Sequence, residues 1–466
     1  MKKFTKQALV IVAIVALAGC EKGNEGKFDR SNGAGGPFIG ADSVITGKIS
    51  VSRTLSPGKI YKLNGVVFVT GGAKLTIQPG TIITQGEKVN YKIDPASSVL
   101  TAITSVLVIT KGSSIDAVGT PSQPIIFTTS KPSGSRIAGD FGGLIILGNS
   151  ITNKPSYSSL DGLPGFDENG NSLGVDLSFG GRISADNSGK LKYLRIEYPG
   201  YRIFGDTGVN GLTLAGVGSG TEIDHIQVSF SATDAFAFYG GTVNASYLIA
   251  LSAYDDDFDF TNGYNGNIQF AIGLKDPQST HSMSGGVSDS NGIESDNDGP
   301  GTIASPKTKP NLSNFTLLGY SSASTELRAG NRWRRNTDLS FTNSIIAGYN
   351  TGAEFQSGTE IIATAGGFNN NTVHSYSIVF SPATAVSLTG STNSTLVATN
   401  ADAFIGLGFR GARNLSPFYT TDGAGNYNFN NLLPRDISVI NGAVLTSNFS
   451  QWNSGWVKLH PQTSQD

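Results

Sequence analysis

Asp234-Ala235-Phe236-Ala237-Phe238 and Asp256-Asp257-Phe258-Asp259-Phe260 are two versions of one phrase, 22 residues apart. An Asp opens each, and phenylalanines stand at the same alternate positions. Alternation with a period of two belongs to strands rather than helices. Gly241 and Gly263 follow at the same spacing, and a second lane repeats through Ile226-Gln227-Val228, Leu248-Ile249-Ala250 and Phe270-Ala271-Ile272. A unit of this length is too short for a propeller blade and lacks the Leu and Asn spacing of leucine-rich repeats. The expected fold is therefore all-β, a right-handed parallel β-helix (solenoid) of about 22-residue coils with loop insertions and capped ends. Coils in such a stack lie about 4.8 Å apart, which predicts Phe236 over Phe258 and Phe238 over Phe260.

The same grammar extends in both directions. Leu75-Thr76-Ile77 reads as recurring at Leu107-Val108-Ile109, and further strands are expected at Leu144 to Leu147, Tyr193 to Ile196, Phe315 to Leu318 and Ser344 to Ala347. Insertions are expected near Lys154 to Arg182, Lys275 to Gly286 and Gly299 to Lys309, and end caps at Ile45 to Asn64 and around Trp452 and Trp456. Glycine supplies 60 of the 466 residues and charged residues only 15%, a balance that suits an all-β chain with many turns. With 33 basic and 35 acidic residues there is no charge excess to favour nucleic acid. His225, His281, His374 and His460 lack metal-ligand spacing, and no Gly-x-Ser-x-Gly elbow or phosphate loop is present.

The first residues form a separate segment. Lys2, Lys3 and Lys6 precede an apolar run from Ala8 to Leu17, which is shorter than the roughly 20 residues of a membrane span. The run ends in Leu17-Ala18-Gly19-Cys20, and this is the only cysteine in the chain. These residues resemble a bacterial lipobox, which implies a signal peptide over 1–19 and a membrane anchor acylated (palmitate-type) on Cys20. Residues 20–40 read as a flexible tether and 41–466 as a single β-helix domain with a C-terminal cap. Glu21 stands where the inner-membrane retention signal of such lipoproteins has Asp, which implies an outer-membrane, surface-exposed location.

Five runs carry a wider resemblance: Leu75 to Thr81, Gly139 to Leu144, Leu212 to Thr221, Asp256 to Phe260 and Gly292 to Asn297. They resemble Bacteroidota-type cell-surface β-helix lipoproteins over roughly residues 45 to 460. The resemblance implies location and fold, and hardly narrows activity.

Candidate chemistry gathers on one coil. Asp255, Asp256, Asp257 and Asp259 follow Asp234 by one coil, and a longer step stacks Asn291 under Asp256 and Glu294 under Asp259. Strand alternation predicts that Asp257 and Asp259 point outward. Oxygen-only ligands of this kind favour Ca²⁺, with Asp234, Asp256, Asp257, Asp259, Asn291 and Glu294 as the expected set. Asp289, Asp296, Asn297 and Asp298 are additional candidates. Asp234, Asp255 and Asp256 also resemble the acidic positions of polygalacturonase-like inverting glycoside hydrolases, although Asn291 replaces that family's His and Ala232 its first Asn. A polysaccharide lyase would need Ca²⁺ beside an Arg or Lys base, for which Lys275, Arg328, Arg332, Arg334 and Arg335 are available. Arg332, Trp333 and Arg335 form a weaker ligand-binding candidate. Asp167-Glu168-Asn169-Gly170-Asn171 reads as a turn rather than a calcium loop.

Three functional readings stay open. The preferred one is a Ca²⁺-stabilised binding or adhesion scaffold for glycans; the others are a carbohydrate-active enzyme and an accessory subunit partnering an outer-membrane transport protein.

Overall fold

The computed structural model describes residues 43–397 and 441–458, apart from a few isolated positions within those spans. The expected signal peptide over 1–19, Cys20 and the expected tether over 20–40 lie outside the described residues. Twenty-four strands form one continuous sheet whose pairings are parallel, wound into a right-handed parallel β-helix.

Each coil has three faces. The first includes Lys74–Ile77, Ser114–Val118 and residues 222–224 and 244–246. The second includes 226–229, 248–251, 271–274 and 315–318. The third runs through Val106–Ile109, Gly143–Leu147, Leu212–Val217, Phe236–Gly241, Phe258–Thr261, Ile293–Asp296 and Ala329–Arg334.

The phenylalanines stack as the repeat predicts. Phe236 lies 5.3 Å from Phe258 with rings 8° apart, and Phe238 lies 5.2 Å from Phe260. All four are buried in the central core, where each contributes about 1.5–3 kcal/mol by leaving water.

The bend from first to second face is made by single left-handed residues stacked coil on coil: Tyr193, His225, Tyr247, Phe270 and Asn314, with φ between 53° and 61°. A Cβ in this conformation costs about 1–2 kcal/mol. The column offsets that strain, because its rings stack at 4.5 Å (Tyr193 on His225, His225 on Tyr247) and 5.2 Å (Tyr247 on Phe270), each pair contributing about 0.5–1.5 kcal/mol beyond burial.

Two apolar outer surfaces are roofed. The second face, through Ile249, Leu251, Ile272 and Leu274, is covered by the C-terminal segment carrying Trp452 and Trp456. The early half of the third face, through Phe68, Val108 and Ile145, is covered by Tyr91, Ile103, Leu163 and Phe179 from insertions.

Several expectations need correction. Leu248 pairs with Ala271 rather than Phe270, because the intervening turn carries one extra residue and puts Phe270 on Tyr247. Leu75 pairs with Ile115, while Leu107 belongs to the third face; short apolar triplets do not reveal which face they occupy. Ile45 to Asn64 are not a separate cap, since Ser43–Ile49 and Ile60–Val69 are strands of the first coils. Trp452 and Trp456 cover a flank instead of an end. Insertions do occur at the three expected places, and the hairpins of Val89–Lys92 with Thr101–Ile103 and of Tyr201–Phe204 with Thr207–Val209 add two more. Among the described residues the only helical segments are Thr359–Ile362 with the turn that follows it, and Phe449–Trp452.

Candidate functional site

Along the outside of the third face one register row reads Phe68, Val108, Ile145, Thr213, Ala237, Asp259, Glu294, Arg332, Glu354. The row passes from apolar to charged where the roof stops. At that boundary lies a cleft of about 360 Å³, lined by Tyr239, Asp259, Thr261 and Arg334 from the sheet and by Leu160 and Phe179 from the roof.

Most charges beyond the cleft are paired. Arg332 Nη1 lies 2.8 Å from Glu294 and 2.5 Å from Asp289. Arg334 Nε lies 2.7 Å from Asp296, and its guanidinium also holds Glu294. Arg335 joins Asp296 at 2.7 Å, and Arg328 joins Glu354 at 3.1 Å. Burial pushes the Glu294 carboxyl up to about 7 despite the opposing pull of Arg334 and Arg332. Asp259 differs: no side chain among the described residues hydrogen-bonds to it or forms an ion pair with it. Burial, then the carboxylates of Asp234, Glu294 and Asp296, raise its pKa well above the usual range.

Arg332, Trp333 and Arg335 do not share one surface. Trp333 is wholly buried against Phe341, because strand alternation sends it into the core between the outward Arg332 and Arg334. The two arginines are engaged with Asp289, Glu294 and Asp296, a pairing across coils that lie about 40 residues apart in the chain.

A second group occupies the corner between the second and third faces. One carboxylate oxygen from each of Asp234, Asp255 and Asp256 lies within 4.8 Å of the other two. Asp234 accepts a hydrogen bond from the Asp256 backbone N–H at 3.1 Å. Asp256 Oδ1 accepts two at 2.9 Å from Asn291, through its backbone and its side-chain amide, so Asn291 does stack beneath Asp256. Burial raises all three carboxyl pKa values, and the acids raise one another.

Asp257 does not join this group. It precedes the strand, where alternation has not begun, and the corner turns its carboxylate inward. There it lies 3.2 Å from Lys275 Nζ, both side chains fully buried. Gly273 makes room, since a Cβ at that position would come within 2.5 Å of Asp257 Oδ2. The expected ligand set is thus divided: Asp257 faces Lys275, Asp259 and Glu294 line the cleft, and Asp234 and Asp256 meet Asp255 at the corner.

The remaining candidates are structural. Asn297 holds the backbone of Thr302, Ala304 and Thr308, and Asp298 accepts from Thr302. Asp167 accepts from the backbone of Asn169 and Asn171, a turn as expected.

Sequence reasoning missed two neighbours of the acidic corner. Arg202 places Nη2 3.8 Å from Asp255 and 2.6 Å from Ser282 Oγ. His281 lies between Ser290, 3.2 Å from its Nδ1, and the Tyr320 hydroxyl. Burial and the Lys275 charge pull the His281 pKa down to about 4, which keeps it neutral near pH 7. Both residues arrive on insertions, so no repeat spacing points to them.

Residues 47–457 match the family model of the pectate-lyase-like β-helix domain. The chain belongs to that family. Neither the curated proteins nor the solved structures yielded a match to it. The pectate-lyase-like family includes both polysaccharide-degrading enzymes and binding proteins, so membership gives the fold and leaves the chemistry to the residues just described. Within this pectate-lyase-like coil stack, two places offer chemistry: the cleft with Asp259 on its wall, and the three-acid corner beside Arg202.

Proposed function

We propose that this protein is a polysaccharide-binding β-helix that seats an extended glycan in the cleft on its third face. The observation that carries the reading is the cleft itself, where the aromatic ring of Tyr239 and the hydroxyl of Thr261 meet an unpaired Asp259 at the end of the roof. Concave sites with a few convergent polar groups are where small saccharide units bind, and a rigid coil stack keeps those groups in register. The same proposal takes the Cys20 lipobox at face value and holds the body at the outer-membrane surface.

Asp234, Asp255 and Asp256 are the residues that would hold Ca²⁺. Ligand oxygens at 2.3–2.6 Å from one Ca²⁺ lie at most about 5 Å from each other, and the 4.8 Å limit among these three carboxylates fits that geometry. Bound there, the ion would offset the mutual repulsion of the three acids and stiffen the corner.

Binding is preferred to catalysis because the cations beyond the cleft are committed to carboxylates and Lys275 is buried on Asp257. Arg202 supports a second reading, a Ca²⁺-assisted lyase, since it is the arginine beside the three acids and its side chain is 40% exposed. Affinity electrophoresis against a polysaccharide panel tests both readings. Retention that is lost in Tyr239→Ala, without product from any polymer, is the expected result. Unsaturated oligosaccharides that disappear in Arg202→Ala would establish the lyase instead. No retention by any polymer would end the binding proposal.

A further inference from the structure

The charges around the cleft bear on which sugar it accepts, an inference that rests on the polysaccharide reading above. Four carboxylates line it, Asp161, Asp259, Glu294 and Asp296, against two cations, Lys154 and Arg334. Arg334 is already shared between Glu294 and Asp296. The charge of Lys154 is felt by Asp298, outside the cleft lining. Asp259 has Asp234, Glu294 and Asp296 for neighbours, and the one cation it feels is Arg334, whose guanidinium is bonded to two other carboxylates; its wall is shielded by Phe179 and Leu160.

A half-buried carboxylate in that position is satisfied by a ligand cation and opposed by a ligand anion. We infer that the cleft binds a saccharide unit carrying a protonated amine, with Asp259 as its counter-ion, and rejects uronic acids. Tyr239 stands two register positions from Asp259, on the next outward row, between Ala215 and Thr261, and supplies a ring for the sugar body. Its hydroxyl accepts from Asn210 Nδ2 at 3.0 Å, which fixes the ring beside the carboxylate. Desolvation and then the neighbouring acids favour the neutral form of Asp259, whereas an arriving ammonium favours the charged form. Amine binding therefore releases a proton and tightens as pH rises toward neutrality.

Calorimetry on the full chain in EDTA tests this with three tetrasaccharides: glucosamine, its N-acetylated counterpart and galacturonate. The expected order is glucosamine at least about tenfold tighter than the N-acetylated form, the scale of one charge-assisted contact, with no galacturonate binding. Asp259→Asn should bring the first two to parity with an unchanged melting curve. Should that variant fail to fold, the salt dependence of the parent serves in its place: glucosamine affinity falls with ionic strength and N-acetylglucosamine affinity does not. Equal affinities, or a preference for galacturonate with or without added Ca²⁺, overturn the amine inference while leaving polysaccharide binding intact. Absence of binding by all three in the calorimeter, together with no retention on the polymer panel, removes both.

Discussion

Asp257 shows how much one position within a coil matters. Its neighbours on either side face the corner or the core, but its own carboxylate sits inside the stack against Lys275, whose ammonium also donates to the Ala253 carbonyl at 3.4 Å. Burial pushes Asp257 up to about 7 from an ordinary value near 4, against the opposing pull of Lys275. The folded state therefore binds more protons than the unfolded state between about pH 4 and 7, and stability falls as pH rises through that window. Glu294, also pushed up to about 7, acts with the same sign. Thermal melts in EDTA across this range should show a declining melting temperature, with a shallower slope in Asp257→Asn; parallel slopes would contradict the assignment. Removing the other partner is more severe. Lys275→Met leaves a buried carboxylate without its cation and should cost about 3–5 kcal/mol in denaturant titration.

At the scale of elements, the coil stack depends on segments that are not coils. The C-terminal strap sets Trp456 5.3 Å from His225 and Trp452 5.4 Å from Tyr247, on the outside of the left-handed column. It is fastened by polar contacts as well: the Lys458 backbone N–H donates to Gln227 at 2.8 Å, and the Trp452 indole donates to the Ala443 carbonyl at 3.1 Å. Without the strap, the outer apolar surface of the second face would meet water. Trp452→Ala should therefore cost about 3–5 kcal/mol and raise binding of a hydrophobic dye. A change within experimental error would mean that the strap rests on the stack without stabilising it.

For the molecule as a whole, a coil contacts chiefly its neighbours, so insertions vary without disturbing the stack. The hairpin of Met283–Ser284 and Val287–Ser288 turns through Gly285 and Gly286 and leaves Met283 and Val287 exposed. Limited proteolysis should nick this tip first. The two fragments should then co-elute under native conditions, because the coils on both sides remain hydrogen-bonded through Phe258–Thr261 and Ile293–Asp296. Separation of the fragments would show that the insertion holds the stack together.

The repeat, the strand alternation and the phenylalanine columns were legible in the sequence because they are local and periodic: a period of two decides in from out, and equal coil lengths put like over like. The stacking of Asn291 on Asp256 and of Glu294 on Asp259 followed from the same arithmetic. Corners escape that rule, which is why Asp257 turns inward and Asp255 replaces it beside Asp234 and Asp256. The pairing of the arginines with the acids, the burial of Trp333, the roof that ends at the cleft and the arrival of Arg202 and His281 were decided only in three dimensions. Each depends on where an aperiodic loop returns to the stack, and loop length alone does not fix the face on which it lands.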